Sequence, residues 1–198
     1  KVVTIKYKGV PQDGLIIGVN KHGDRTFFAD NWPNRARHWL PTIDHPYDKA
    51  QVDLVVTASD RYQVVANGEQ IEESNLSGNR KLTHWQERGP ISNKLMVIGV
   101  APFAVRKSGE VNGSPVSTWV YRQDRTAGFK DFAIAPTVLQ YFDTFIGPFA
   151  YEKLANVQSK TRFGGMENAS CIFYYEDAVN GLSEHEDLIA HEIAHQWF

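Results

Sequence analysis

The chain has 198 residues, of which 42% are hydrophobic and 12% aromatic, enough for one or two domains with a hydrophobic core. Its formal net charge of −2 excludes an overall basic field that would attract nucleic acid or an anionic membrane, and no apolar run reaches the length of a membrane span. Cys171 is the only cysteine, which excludes a disulfide within the chain and leaves the compartment open between the cytoplasm and, after removal of a leader, the periplasm or exterior.

The first part of the chain shows short β-prone runs separated by turn residues. Apolar and polar residues alternate within most of these runs, and glycine or proline interrupts them. The predicted strands are Lys1–Tyr7, Gly14–Asn20, Arg25–Ala29, 52–56, 62–66, 81–86, 95–105 and 118–122. Asn67-Gly68 is a dipeptide typical of a hairpin turn. Many short strands at even spacing favour a β-sandwich or a saddle-like sheet over residues 1–121.

The segment 31–46 is dense in tryptophan, arginine, histidine and proline. Two interpretations remain open for it: one wall of a ligand cleft, or an ordered loop held by tryptophan packing and Arg–Asp pairing. The second is favoured, because such composition more often reflects local packing than a binding site. His38 and His45 in this segment are expected to be solvated or structural and not metal ligands.

The pattern changes at residue 122 from strands to a mixture of helices and strands. Pro136 fits the first turn of a helix and Gly147-Pro148 fits its end, with an apolar stripe between them that predicts a core-facing helix. The stripe consists of Val138, Leu139, Phe142, Phe145 and Ile146. Strands are predicted at 153–159 and 169–175, joined through residues 162–168.

The last predicted helix contains the spacing H-E-x-x-H over residues 191–195. Ile189, Ile193 and Trp197 form an apolar i, i+4 row, which predicts a buried helix and not a surface helix with solvated histidines. Ser183 with Glu186 fits a capping box and predicts the N-cap at Ser183.

The H-E-x-x-H spacing carries a specific chemistry. Residues i and i+4 lie one turn apart on the same helix face, so the imidazoles of His191 and His195 can reach one zinc ion. The carboxylate of Glu192 can take a proton from a water that the metal activates, which predicts a general base for hydrolysis.

A second candidate site segment precedes this helix. Its residues are Gly164, Gly165, Met166, Glu167 and Asn168. Paired glycines allow another backbone to approach closely, as when a peptide lies along an edge strand. A neighbouring carboxylate can hold an ammonium group, although a Gly-Gly pair by itself more often marks only a turn.

The two motifs together resemble the zinc aminopeptidase N family, in which G-[AG]-M-E-N precedes H-E-x-x-H and a following Trp-Phe. The stretch Arg37–Pro46 with Lys49-Ala50 also resembles that family, as does 137–153, so the resemblance covers most of the chain. It implies a mainly β, saddle-like N-terminal domain over 1–121. For 122–198 it implies the first, α+β half of a thermolysin-like catalytic domain.

The resemblance also implies functions for the motif residues. His191 and His195 would ligate zinc, Glu192 would be the general base, and Glu167 would bind the free α-amino group of a peptide substrate. The segment 164–168 would then be substrate-binding, and the enzyme would remove amino acids from the N-terminus of peptides. The family's segment before Ala36-Arg37 often carries a Gln or Glu at the first specificity pocket, and Asp30 and Asn31 stand here, so side-chain preference does not carry over.

Departures from the family pattern limit what this chain is expected to do alone. The family's third zinc ligand, a glutamate about eighteen residues past the second histidine, and its oxyanion-stabilising tyrosine both lie beyond Phe198. The chain is therefore expected to bind zinc weakly and to hydrolyse little. Trp197 and Phe198 are expected to be exposed, so the terminal helix offers a surface for association. A thermolysin-type endopeptidase and a non-catalytic β-rich module remain as alternatives.

Overall fold

The computed structural model describes residues 2–198, so Lys1 of the predicted strand Lys1–Tyr7 lies outside the described residues. The strands of this range are β1 (Leu15–Val19), β2 (Arg25–Ala29), β3 (Lys49–Ser59), β4 (Gln63–Ala66), β5 (Glu69–Leu76), β6 (Arg80–Ser92), β7 (Ile98–Ala101), β8 (Phe103–Val111), β9 (Ser114–Tyr121), β10 (Leu154–Ser159), β11 (Gly165–Met166) and β12 (Cys171–Tyr175). The α-helices are α1 (Arg125–Asp131), α2 (Ala135–Phe145) and α3 (Glu186–Ala194). None of these helices is long and apolar enough to cross a membrane.

The strands form three sheets, which confirms the prediction of a mainly β fold. Two sheets are antiparallel, with the orders β1-β2-β7-β4 and β3-β6-β5. The third sheet is mixed and has the order β11-β12-β10-β9-β8, with β10 parallel to both of its neighbours. This sheet contains strands from both sides of residue 121. The division into domains 1–121 and 122–198 therefore crosses a continuous sheet and stays a prediction, as does the thermolysin-like character of the second part.

The hairpin predicted at Asn67-Gly68 is wrong. The flanking strands β4 and β5 belong to different sheets, β4 pairing with β7 and β5 with β6. The dipeptide instead carries the chain from one sheet to the other. Gly68 is needed there because its φ is +73° and an added Cβ would lie 1.9 Å from the backbone oxygen of Gln86. The buried Asn67 uses its side chain to make three hydrogen bonds, two to the segment 95–97 and one to Ala169.

The strand predicted at the start of the chain is also absent from its described residues. Residues 2–7 form no ladder with another strand, and Val2, Val3 and Ile5 are exposed. A β-prone run becomes a strand only when a neighbouring strand takes its backbone hydrogen bonds. Tyr7 instead donates its hydroxyl hydrogen to the backbone oxygen of Trp39 at 2.8 Å.

Two main hydrophobic cores lie on either side of the mixed sheet. One fills the space among the three sheets and contains the edge-to-face pair Phe28 and Phe173. The other lies between the mixed sheet and helices α1–α3 and contains Leu139 and Ile193, both fully buried. The prediction that the whole apolar stripe of α2 faces the core is wrong for Phe145, which is 75% exposed and stacks on Tyr141. The second core fixes α3 against the sheet that carries β11.

Candidate active site

Helix α3 begins later than the sequence predicts. The helix starts at Glu186 after His185, no side chain caps it, and Ser183 has a φ of +59°. The capping box predicted at Ser183 is therefore wrong. The carboxylate of Asp131 shapes the lead-in by accepting hydrogen bonds from the backbone N–H groups of Asn180, Gly181 and Ser183. This carboxylate lies 49 to 52 residues away in sequence from the groups that it accepts from, where a local capping pattern cannot indicate it.

The apolar row of α3 packs as predicted. Ile189 and Ile193 are buried in the second core, and Trp197 packs between Phe142 and Phe149 while its indole N–H donates to the backbone oxygen of Gly147. The expectation that Trp197 is exposed is thus wrong, whereas Phe198 is 79% exposed as expected. Packing of this row turns the opposite face of the helix, with its two histidines, away from the core.

The imidazoles of His191 and His195 converge. Their Nε2 atoms lie 3.1 Å apart, and the ring planes are almost perpendicular. Two nitrogen ligands of a tetrahedral zinc ion at about 2.0–2.1 Å from the metal stand about 3.3 Å apart, so the pair fits one ion. Among residues 2–198, no third His, Cys, Asp or Glu joins them in a metal-binding cluster. The described residues therefore offer two converging nitrogen donors, one fewer than the three protein ligands of a catalytic zinc site.

The carboxylate of Glu192 is buried beside the second motif. A Cβ added to Gly165 would lie 2.2 Å from Glu192 Oε1, so only glycine leaves room for this carboxylate against β11. The other oxygen, Oε2, is buried and has no hydrogen-bond partner among the described residues. Burial and, to a smaller extent, the charge of nearby Glu167 raise the pKa of Glu192 to about 7. Such a carboxyl group can exchange a proton near neutral pH.

The glycine-containing segment forms an edge of the mixed sheet. Gly165 and Met166 form the short strand β11, antiparallel to β12, and no strand pairs with its outer side among the described residues. Gly164 is exposed, and its backbone oxygen accepts a hydrogen bond from the Tyr175 N–H. Glu167 is half-buried, and both polar side-chain atoms of the buried Asn168 lack hydrogen-bond partners within residues 2–198. An open edge beside a carboxylate can receive an extended peptide.

A buried network, not predicted from the sequence, ties the glycine-containing segment to α3. Gln196 accepts from the backbone N–H of Ser170 at 2.9 Å and donates to the backbone oxygen of Glu167 at 3.4 Å. Lys153 donates to the backbone oxygens of Ala66 and Ser170 at 2.8 and 2.9 Å. The sequence gives no clear signal for this network, because Lys153 lies directly before β10 and that strand itself contains Asn156, Gln158 and Ser159.

The loop 31–46 is held mainly by tryptophan packing and Arg–Asp pairing, as the favoured interpretation of its sequence predicts. Arg37 pairs with Asp44, and the Trp39 indole N–H donates to the side-chain oxygen of Asn31. The loop also reaches the candidate site, because the Trp32 ring packs edge-on against Phe163 at a centroid distance of 5.3 Å.

Comparison with known proteins finds sequence similarity along the whole chain. A family model described as the Peptidase M1 N-terminal domain matches residues 5–95. The chain is 28% identical to "Probable aminopeptidase 2" of Sulfurisphaera tokodaii over 100% of the chain and 27% of that protein. It is 30% identical to "Tricorn protease-interacting factor F2" of Thermoplasma acidophilum over 83% of the chain and 22% of that protein. It is 25% identical to human "Glutamyl aminopeptidase" over 86% of the chain. It thus spans 19% to 27% of the length of these relatives.

Proposed function

The chain belongs to the aminopeptidase N family of M1 peptidases and carries its N-terminal portion, and from this premise we propose that it supplies half of a zinc aminopeptidase site. One observation carries the proposal: the Glu192 carboxylate, on the same helix turn as the first of the two converging imidazoles, packs directly against Gly165. Two segments about twenty-five residues apart in the chain therefore meet at one place. Names of relatives that are aminopeptidases support the same reaction class.

Each residue has a distinct part in the proposed reaction. His191 and His195 hold zinc, which when bound supplies the Lewis acidity that hydrolysis of a peptide bond needs near neutral pH. Glu192 takes the proton from the attacking water at its unpartnered Oε2 and later returns it to the leaving amine. Its raised pKa suits both directions of proton transfer at neutral pH.

The glycine-containing segment positions the substrate. Gly164 and Gly165 let the peptide backbone approach the open edge of β11, where it can be held by main-chain hydrogen bonds. Glu167 binds the free α-ammonium group, since a fixed carboxylate is the natural partner of that cation. With the ammonium group fixed at this carboxylate, the peptide bond after the first amino acid lies at the reacting water. The enzyme then removes one N-terminal residue at a time and is an exopeptidase.

We propose further that the 198-residue chain alone retains zinc weakly and has little peptidase activity. Two imidazoles among the described residues form an incomplete ligand set for a catalytic zinc ion. Zinc retention measured against a chelating dye should therefore fall well short of that of the intact protein. His191→Ala should abolish the remaining zinc binding, and His38→Ala, which changes an exposed histidine outside the site, should not.

The test of the proposed role of Glu167 is its replacement by alanine in the intact protein. Loss of the ammonium partner should raise KM for peptides with a free N-terminus at least tenfold, because a charge-assisted hydrogen bond contributes about 1.5–3 kcal/mol. Glu72→Ala, at an exposed position on β5, is the matched control and should leave KM unchanged. An endopeptidase has no need of this carboxylate, so unchanged KM in Glu167→Ala would favour the thermolysin-type alternative.

A further inference from the structure

A group of arginines on the side of the molecule that carries the β1–β2 turn forms no ion pairs with carboxylates of the described residues. Of the ten arginines in the chain, Arg35, Arg37, Arg88 and Arg162 form ion pairs with carboxylates within 4.0 Å. The remaining six form none in the part of the chain that the structure describes. Five of these six lie near one another: four line two adjoining cavities, and the guanidinium of Arg106 shares the Phe129 ring with that of Arg125. We name these five the arginine cluster: Arg25, Arg61, Arg106, Arg122 and Arg125.

The cluster surrounds concave surface. A cavity of about 370 Å³ is lined by Gly23, Asp24, Arg25, Arg61, Tyr62, Pro102 and Arg122. A second cavity shares Arg122 and adds Arg125, whose guanidinium lies over the same Phe129 ring as that of Arg106. Three guanidinium groups therefore line one cavity of a size found for small-molecule sites, and two more extend the positive surface beyond it.

Neighbouring groups hold the guanidiniums in place. Arg61 lies over the Tyr62 ring at 4.7 Å and donates to its hydroxyl oxygen at 2.6 Å. Arg122 donates to the backbone oxygen of Arg61 at 3.4 Å. Arg25 lies over the Phe27 ring at 5.4 Å from its centroid. Stacking and hydrogen bonding of this kind reduce the side-chain entropy that a bound ligand would otherwise have to offset.

Acidic groups near the cavity do not neutralise the cluster. Asp24 is the one carboxylate in the lining, and its Oδ2 accepts a hydrogen bond from the Gln123 amide at 2.9 Å. Asp60 precedes Arg61 and is exposed, and it forms no ion pair among residues 2–198. The lining therefore keeps an excess of two positive charges in a chain whose overall charge is −2.

We propose that this cavity binds a small multivalent phosphate anion. A single carboxylate matches one guanidinium fork, whereas a phosphate chain presents several oxygens and charges that can pair with three. The cavity has room for a di- or triphosphate group, supplied by a nucleotide or by inorganic polyphosphate. The site uses no residue assigned to the peptidase reaction, so a test of anion binding does not depend on the proposed function.

The experiment is calorimetric titration of the 198-residue protein with sodium tripolyphosphate at low ionic strength. Binding should be detectable with a micromolar dissociation constant and should weaken as salt screens the charges. Arg61→Gln and Arg122→Gln should each weaken binding about tenfold, the effect of losing one charge-assisted hydrogen bond of roughly 1.5 kcal/mol. Arg80→Gln is the matched control, since Arg80 is exposed and has no acidic partner but lies outside the cluster.

Circular dichroism of each variant checks that it is folded. The variants Arg61→Lys and Arg122→Lys keep the positive charge and should therefore weaken binding less than the glutamine variants. Tighter binding of ATP than of tripolyphosphate would identify a nucleotide site, and equal or weaker binding an inorganic polyphosphate site. No binding of either anion at millimolar concentration would overturn the proposal. Equal weakening by Arg80→Gln would also overturn it, as would tighter binding of a polyglutamate peptide.

Discussion

Glu192 is the residue whose environment departs most from that of an ordinary carboxyl group in the candidate site. Its side chain is buried, one oxygen has no hydrogen-bond partner in the described part of the chain, and the charge of Glu167 lies nearby. These conditions favour the neutral acid over the carboxylate. The sequence predicts the identity and role of this residue from the H-E-x-x-H spacing, but burial against Gly165 depends on the packing of two distant segments.

The raised pKa of Glu192 makes stability depend on pH in the metal-free protein. Because the folded-state pKa of about 7 exceeds the ordinary value of 4.5, stabilisation by this group is complete below pH 4.5 and is lost as pH rises to 7. Glu192→Gln removes this dependence. Relative to the wild type, the variant should gain as much as about 3 kcal/mol in unfolding free energy between pH 5 and 8. Urea unfolding of both proteins with a chelator present measures this difference. If the unfolding free energies of wild type and variant changed with pH in the same way, the burial of an ionisable Glu192 would be refuted.

Gly165 and Gly164 form a matched pair at the same site. A methyl group at Gly165 would overlap the Glu192 carboxylate, whereas one at Gly164 meets nothing within 4 Å. Neither residue has a positive φ, so the difference is steric and not conformational. Gly165→Ala should lower the free energy of unfolding by about 1–3 kcal/mol, as overpacking usually does. Gly164→Ala should change it by less than about 0.5 kcal/mol. Equal urea midpoints for the two variants would contradict the contact.

At the scale of elements, local patterns predict most strands and helices but not their partners. β2 has the predicted bounds, and α2 has Pro136 in its first turn and ends before Gly147 as predicted. Asn67-Gly68 connects two sheets because Asn67 makes long-range side-chain hydrogen bonds that outweigh the local preference for a hairpin. Ser183 does not cap α3 because its backbone N–H is taken by Asp131. Such long-range acceptors leave no signal in a local sequence pattern.

Asp131 provides a test of how the lead-in to α3 is fixed. Its carboxylate accepts three backbone N–H groups of the segment 180–183, and the residue is 3% exposed. Asp131→Ala leaves these donors without a partner and should lower the free energy of unfolding by about 2 kcal/mol or more. Asp177→Ala, at an exposed position nearby, should have an effect below about 0.5 kcal/mol. Similar chemical denaturation curves for both variants would show that Asp131 does not hold this segment.

At the scale of the whole molecule, the mixed sheet brings the two motifs together. β11 carries Gly165 at one edge, and the second core presses α3 against the same sheet. The meeting of the two motifs therefore depends on the strand order β11-β12-β10, which local sequence patterns do not reveal. The resemblance to a family in which both motifs occur together nevertheless predicts that the two motifs meet. The buried Lys153 and Gln196 join the segments further by bonding to Ser170 from two sides.

We propose that a zinc site and a carboxylate for the substrate ammonium group act together to remove single N-terminal residues. The most direct measurement compares hydrolysis of one peptide and its N-acetylated copy by the intact protein, with zinc and after chelation. We expect the zinc-loaded protein to release the first amino acid from the free peptide only, and chelation to stop the reaction. Cleavage of the acetylated peptide at an internal bond, or undiminished activity without metal, would contradict the claim.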